Sequence, residues 1–290
     1  MKIECALEAK ATLGEGPVWC AETGVLFWVD ILGQKVHRTE PDSGRDSVLT
    51  LDGPVGALAL AGAGQAIAAI TNRVVMLDLE TGATRTLAEP EGALPCNRFN
   101  DGKCDRHGRF WVGSMDTAER DPTGALYRVE ANGPVTRMVE AVTVANGLGW
   151  NSDDSIMYFT DSFLSTIYAY AFDAGTGTLG EKRVFARIPT NLGVPDGLAV
   201  DAEDCVWSAH WDGGCLTRYS ADGTINRVVH LPVPRPTSLA FGGKNLDQMF
   251  VTSARFGLSD QQLRAAPLSG GLFRIEGLGV CGTETPRFGG

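Results

Sequence analysis

The sequence predicts an all-β fold, a six-bladed β-propeller with four-stranded antiparallel blades, and two observations predict it. The first is local. Helical periodicity is nearly absent, and short runs of aromatic and β-branched residues alternate with turn signals instead. Such runs lie at residues 25–29, 109–112, 156–160 and 248–252. The second is that these runs belong to a unit that returns six times along the chain.

Each repeat unit opens with a polar or small residue and a short apolar strand. A turn, an aromatic or β-branched strand and a third strand follow. The unit openings are Glu15, Gly56, Asn100, Asn146, Asp196 and Thr237. The steps between them are 41, 44, 46, 50 and 41 residues, close to the length of a propeller blade. A β-sandwich gives no reason for this repeat and no linker divides the chain, so we expect one domain over residues 1–290.

The two ends of the chain predict how the ring closes. An N-terminal strand near residues 3–7 precedes the first full unit, and the last unit ends in a strand near residues 270–275. Pairing of these two strands within one blade would remove the exposed sheet edges.

Charge limits the classes of partner. The chain has 25 basic and 35 acidic residues, for a net charge of −10. Nucleic acids and anionic membranes are recognised by clustered Lys and Arg, so we expect neither as a partner. An acidic protein is compatible with cation binding, although simple solubility explains the charge equally well.

Cysteine usage and apolar runs bear on the compartment. The chain has seven cysteines, an odd number, and no C-x-x-C motif. Both observations argue against a disulfide framework and indicate reduced thiols. The N-terminus has no apolar run of signal length, and no segment approaches the roughly 20 apolar residues of a membrane span. We therefore expect a cytoplasmic protein, either a monomer or a weak homo-oligomer.

The repeat register predicts a metal site in the central channel. The innermost strand of every propeller blade lines the channel, so equivalent repeat positions meet around one axis. There Glu15, Asn146 and Asp196 would bring together two carboxylates and an amide oxygen, the ligands that hard divalent cations prefer. Polar residues before glycine are also ordinary turn chemistry, but three in register favour one divalent metal ion.

Other catalytic chemistries have no support in the sequence. There is no H-E-x-x-H, no G-x-S-x-G and no phosphate-binding loop. The sequence leaves the place of His210 open, since this histidine follows a strand and could reach the channel mouth or pack inside a blade.

Several longer motifs carry a family resemblance. They are Leu13-Gly14-Glu15-Gly16-Pro17-Val18-Trp19, Asn97-Arg98-Phe99-Asn100-Asp101-Gly102-Lys103, Asn146-Gly147-Leu148, Pro195-Asp196-Gly197, Phe241-Gly242-Gly243-Lys244-Asn245 and Gly270-Gly271-Leu272-Phe273. On these motifs, and over essentially its full length, the chain resembles the family of senescence marker protein-30, gluconolactonase and luciferin-regenerating-enzyme-like proteins.

The resemblance implies a six-bladed propeller and a set of site residues. The family's metal ligands match Glu15, Asn146 and Asp196. Its substrate-contacting residues match Arg98 and Asn100, and an acidic residue of that stretch matches Asp101. Members hydrolyse aldonolactones such as gluconolactone, xylonolactone or arabinolactone with one divalent cation. The chain departs from the animal members at residues 116–121, which look shorter than their lid-like loop, so we assign no role to Glu119.

The functional hypothesis is metal-dependent hydrolysis of a sugar-acid lactone to the free aldonic acid. Asp196 is the favoured general base and Asp101 the reserve, while Arg98 and Asn100 orient the substrate. Calcium, zinc, manganese, magnesium and iron all stay open as the metal. The alternatives are a non-enzymatic calcium-binding or regulatory propeller, an esterase or phosphotriesterase that uses the same channel, and a plain interaction scaffold.

Overall fold

Six four-stranded antiparallel sheets form the blades of a ring, so the predicted six-bladed propeller is confirmed. The computed structural model describes residues 1–62, 64–132 and 134–289. Strand β1 (Lys2–Leu7) comes first in the chain. Blade 1 follows as β2 (Gly14–Cys20), β3 (Val25–Asp30), β4 (Lys35–Glu40) and β5 (Arg45–Thr50). Blade 2 consists of β6 (Val55–Leu60), β7 (Gln65–Ile70), β8 (Arg73–Asp78) and β9 (Thr84–Ala88).

The next three blades continue the same meander outwards from the axis. Blade 3 consists of β10 (Asn97–Cys104), β11 (Phe110–Asp116), β12 (Gly124–Val129) and β13 (Val135–Val142). Blade 4 consists of β14 (Ala145–Trp150), β15 (Ile156–Asp161), β16 (Thr166–Asp173) and β17 (Thr178–Arg187). A 3₁₀ turn at Thr190–Leu192 leads into blade 5, which consists of β18 (Val194–Val200), β19 (Val206–Trp211), β20 (Cys215–Tyr219) and β21 (Ile225–His230).

Blade 6 closes the ring. It consists of β22 (Pro236–Gly242), β23 (Gln248–Ser253), β24 (Leu272–Glu276) and, as its outermost strand, the N-terminal β1. Ile3 pairs with Ile275 in this sheet, so the predicted pairing of the two ends is confirmed. A short helix, α1 (Asp260–Ala265), lies between β23 and β24 and begins with a capping box at Ser259. No helix in the described part of the chain has the length and apolar character to traverse a bilayer.

The hydrophobic core is divided among the six interfaces between neighbouring blades. Each interface holds one cluster of buried apolar residues drawn from two adjacent blades. Both faces of a blade are therefore buried. This explains why β3 reads as an uninterrupted apolar run that ends in one aspartate. Neighbouring sheets pack face to face around the ring, as the two sheets of a β-sandwich do. The polar channel at the axis of the ring is not part of this core.

Buried aspartates brace the ends of two inner strands. Trp111 Nε1 donates to Asp105 at 2.9 Å, and Trp207 Nε1 donates to Asp201 at the same distance. Arg109 and Arg218 bind the same carboxylates. The pairing and hydrogen bonds offset the high cost of desolvating these charges, and loss of one partner would be destabilising because it leaves a buried charge uncompensated.

Candidate functional site

The inner strands all lose regular pairing near the same end of the channel. Register shifts fall between Glu15 and Val18 in β2, between Phe99 and Gly102 in β10, and between Pro195 and Leu198 in β18. The equivalent strands of blades 2, 4 and 6 are irregular at the same level. An irregularity of this kind changes the direction of side chains that would otherwise alternate across a sheet. The register shifts coincide with the unit openings of the repeat.

A glycine after each candidate residue supports the arrangement in two ways. Backbone N–H groups of Gly16 and Gly147 donate to the side chains directly before them, at 2.9 and 3.2 Å. Glycine is also required by the close approach of neighbouring inner strands. A Cβ at Gly147 would lie 2.6 Å from the Asp196 carbonyl oxygen, and one at Gly197 would lie 2.2 Å from Ser238 Oγ. The polar–glycine pairs of the sequence therefore bring three blades together at the axis.

The three predicted metal ligands meet at the Asp196 carboxyl. This group lies close enough to the side chains of both Asn146 and Glu15 for each of them to lower its pKa. The three residues lie on the inner strands of blades 4, 1 and 5, and each is only 5% or 6% exposed. Two carboxylates and an amide from distant parts of the chain thus share one buried point in the channel.

The acidic groups of the site are poorly compensated without a cation. Burial raises the pKa of Glu15 well above its usual range, and the charges of Asp196 and Asp101 raise it further. Burial and the charge of Asp101 likewise raise the pKa of Asp196 well above its ordinary value. A buried carboxylate next to another carboxylate is costly to ionise unless positive charge is supplied.

The residues present fit a hard divalent cation. They offer oxygen donors alone, and the nearby Arg98 guanidinium offsets only part of the negative charge of the carboxylates. Among the described residues, the Asn146 Oδ1 atom accepts only the long bond from Gly147, which leaves it a lone pair for a cation. In the described residues no three acidic, histidine or cysteine side chains converge closely enough to hold an ion together, so an ion here depends on the amide oxygen of Asn146.

Arg98 and Asn100 form the next part of the channel wall. Arg98 Nη1 donates to Asn100 Oδ1 at 2.7 Å and to the Phe99 carbonyl at 2.9 Å. Burial lowers the pKa of Arg98, while the nearby carboxylates of Glu119, Glu15 and Asp196 raise it. The guanidinium is therefore half-buried beside the acidic centre, where it could bind a substrate oxygen.

Asp101 and Lys103 lie below this level. Asp101 Oδ1 accepts the Gly102 N–H at 2.7 Å, and burial raises its pKa although Lys103 lowers it. Lys103 Nζ reaches across the channel to the Leu198 carbonyl at 2.8 Å. Asp101 is thus a further carboxyl group of the channel, near enough to Glu15 and Asp196 to raise the pKa of both, with Lys103 as its own counter-charge.

The channel continues beneath Lys103 into a cavity of about 100 Å³. The lower ends of the inner strands line it, and residues 283–286 of the C-terminal segment cover it. That segment crosses the lower face of the propeller, since Gly282 donates to the Leu246 carbonyl and Phe288 to the Leu60 carbonyl. The end of the channel away from the candidate metal ligands is therefore covered by the protein itself.

His210 is a packed histidine and does not enter the channel. It is fully buried, with Nδ1 at 3.0 Å from the Leu192 carbonyl and Nε2 at 3.4 Å from the Tyr219 hydroxyl. Burial lowers its pKa to about 4, so the ring is neutral at physiological pH. This settles the alternative that the sequence left open.

The structure adds three residues that the sequence did not assign to the site. Glu119 lies near enough to Arg98 to raise the arginine's pKa, and its backbone has a positive φ of 54° in the loop after β11. Ser162 and Thr237 bind backbone next to the candidate ligands. The unit-opening position identified Thr237 as part of the repeat, whereas Ser162 follows a second strand, where the repeat gave no signal.

Comparison with known proteins places the chain in a family. Residues 13–255 match the family model described as the SMP-30/Gluconolactonase/LRE-like region. Regucalcin of Xenopus laevis is 35% identical over 296 residues, which span 100% of this chain and 99% of that protein.

Solved structures agree over nearly the whole chain. A luciferin-regenerating enzyme has a TM-score of 0.91 at 31% identity, with 99% of each chain covered. A regucalcin of Agrobacterium tumefaciens, described as a calcium-binding protein, has a TM-score of 0.93 at 31% identity and covers 98% of this chain and 96% of its own. The family model and these relatives, with the six-bladed fold, show that the chain belongs to the SMP-30/gluconolactonase/LRE-like family.

Proposed function

We propose that this protein hydrolyses a sugar-acid lactone to the free acid and that it holds one divalent metal ion with Glu15, Asn146 and Asp196. The observation that carries the proposal is the convergence of Glu15, Asn146 and Asp196, from three blades, in a buried channel where both other side chains influence the pKa of Asp196. Family membership supports the reaction class, since gluconolactonase is part of the matched family description.

A divalent cation held there would polarise the lactone carbonyl and offset the negative charge that develops on its oxygen. The chain's own residues supply the rest of the chemistry. The inner strands and the covered lower end of the channel limit access of bulk water, which strengthens the electrostatic interactions inside.

Arg98 and Asn100 are proposed to orient the lactone. The guanidinium and the amide already bind one another, so their positions are fixed before substrate arrives. Pre-organised donors lose little conformational entropy on binding, and a fixed ester orientation lowers the barrier to attack.

A channel carboxylate takes the proton from the attacking water. The water oxygen bonds to the carbonyl carbon, the bond from that carbon to the ring oxygen breaks, and the ring oxygen receives the proton as it becomes a hydroxyl. Asp196 is the favoured base. A bound cation would lower its pKa and so weaken it as a base, so Asp101 is the reserve, with a pKa that burial raises above its ordinary value.

The test is a panel of aldonolactones, an aryl ester and a phosphotriester followed by acid release at constant pH. We expect kcat/KM to be highest for an aldonolactone. A higher kcat/KM for the phosphotriester would show that phosphotriesters, and not lactones, are the preferred class of substrate.

A second candidate function is calcium binding without catalysis, favoured by the relatives named regucalcin. It needs the three oxygen ligands but gives no role to Arg98 or Asp101. Calcium binding by a protein that hydrolyses none of the panel would favour it.

A further inference from the structure

One side chain from the preceding blade binds the backbone carbonyl directly before each of the three proposed metal ligands. The donor–acceptor pairs are Asn100 Nδ2 to the Ala145 carbonyl at 2.8 Å, Ser162 Oγ to the Pro195 carbonyl at 2.7 Å, and the Thr237 hydroxyl to the Gly14 carbonyl. Ala145, Pro195 and Gly14 immediately precede Asn146, Asp196 and Glu15. The same contact therefore recurs at every proposed ligand.

Ser162 connects two ligands at once. Its hydroxyl accepts a hydrogen bond from Asn146 Nδ2 at 3.1 Å while it donates to the Pro195 carbonyl. One hydroxyl thus fixes the amide orientation of Asn146 in blade 4 and the backbone before Asp196 in blade 5. Because a hydroxyl has a single proton, Ser162 can make both contacts only by donating to the Pro195 carbonyl and accepting from Asn146 Nδ2.

Thr237 makes the corresponding contact between blades 6 and 1. It is fully buried and contacts the hydroxyl of Thr252 at 2.9 Å, which orients it towards the Gly14 carbonyl. Register shifts interrupt the sheet pairing at this level of β2 and β18, so ladder hydrogen bonds do not fully hold the segments that carry Glu15 and Asp196. Side-chain contacts from the neighbouring blades supply the missing constraint.

We propose that Ser162 and Thr237 are positioning residues of the metal centre, which hold the ligand-bearing backbone of each blade at a fixed distance from its neighbour. The inference rests on the proposed metal centre and deepens it. Groups that orient metal ligands commonly contribute a large share of metal affinity, and a rigid ligand set discriminates between cations that differ in size.

The test measures metal affinity directly. Chelated protein and its variants are titrated with Ca²⁺ and with Mn²⁺ by calorimetry, and bound Mn²⁺ is followed by electron paramagnetic resonance. We expect Ser162→Ala and Thr237→Val each to weaken the Kd by about 10- to 100-fold. Ser162→Thr and Thr237→Ser keep the hydroxyl and should keep most of the affinity for metal. They also keep the proposal testable if Ser162→Ala or Thr237→Val fails to fold.

Two matched variants control for loss of a buried hydroxyl. Ser253 lies in blade 6, is 1% exposed and donates to the Gly271 carbonyl at 2.7 Å, so Ser253→Ala loses the same kind of bond to a carbonyl that does not precede a proposed ligand. Thr217→Val removes a buried hydroxyl in β20. Both should leave the Kd unchanged, even where they lower the unfolding midpoint.

The outcomes separate this inference from the proposed function. If wild-type protein binds metal and hydrolyses lactone but Ser162→Ala and Thr237→Val bind metal as tightly as Ser253→Ala, the inference is wrong and the proposed function stands. If wild-type protein binds metal without hydrolysing any lactone, a loss of affinity in both variants supports the inference while the proposed function fails. If wild-type protein binds neither ion, both are overturned.

Discussion

The Asp196 and Glu15 carboxyls lie close enough across the channel to shift each other's pKa, although the two residues lie on blades 5 and 1. Two buried acids this close together are stable in the absence of a cation only if protons are retained. The structure therefore relates metal binding, protonation and stability at one pair of side chains.

Replacement of Asp196 tests the ligand role. Asp196→Asn preserves the shape of the side chain and removes its charge, so we expect metal affinity to fall more than about 100-fold, beyond the usual effect of losing a group that only orients a ligand. Lactone hydrolysis should fall with it. Calorimetric titration and activity are measured on the same preparation, with Asp222→Asn, an exposed turn carboxylate, as the control. Full activity in Asp196→Asn would remove Asp196 from both proposed roles.

Replacement of Arg98 separates substrate orientation from metal binding. Arg98→Ala should leave the metal Kd nearly unchanged and lower kcat/KM by roughly 10- to 100-fold, the effect of losing a charged hydrogen bond. Arg45→Ala, which removes an exposed arginine of blade 1, is the control. The orientation role would be contradicted by unchanged turnover of every lactone in the panel.

The raised pKa values of Glu15 and Asp196 predict a pH dependence in metal-free protein. Above their ordinary values of 4.5 and 3.8, the folded state retains protons that the unfolded state has lost. Stability contributed by these groups is therefore present at low pH and is lost as pH rises through the raised values. Urea unfolding of chelated wild type and Asp196→Asn should show a smaller loss with rising pH in the variant.

The affinity for metal should depend on pH with the opposite sign to the stability of the metal-free protein. Because the ion must displace any protons that these groups retain, binding releases protons over the pH range in which they are protonated, and it tightens as pH rises through that range. Calorimetry in buffers of different ionisation enthalpy measures the number released. Binding with no proton release would show that Glu15 and Asp196 are already ionised in the metal-free protein.

His210 predicts a second pH dependence with the opposite sign. Its pKa is about 4 in the folded protein and 6.5 without burial, so the unfolded state binds more protons between these values. Its contribution is complete above pH 6.5 and is lost as pH falls towards 4, by about 3 kcal/mol. Unfolding free energies across this range should have a shallower slope in His210→Gln than in wild type. His230→Gln, at an exposed histidine, should keep the wild-type slope.

The sequence was sufficient to predict the blade repeat, the closure through the N-terminal strand and the positions that face the axis. Those features depend on periodicity, which a linear sequence displays directly. The polar–glycine pairs also singled out Glu15, Asn146 and Asp196 as candidate ligands, because equivalent positions in a closed ring must meet; their role as ligands stays a prediction.

The contacts around these residues could not be predicted in the same way. Ser162 follows a second strand and acts on a neighbouring blade, and Lys103 binds a carbonyl two blades away. Such contacts depend on side-chain direction and blade spacing, which no repeat position encodes. His210 was ambiguous for the same reason, since its partners Leu192 and Tyr219 are set by how the strands of blade 5 pack.

The most direct test of the account is a joint titration of metal content and lactone hydrolysis. Chelated protein receives increasing amounts of calcium, manganese, zinc or magnesium, and acid release from the preferred aldonolactone is measured at each step. The account predicts negligible hydrolysis without metal and a rise that ends at one ion per chain. Full hydrolysis by protein that holds no metal would contradict it.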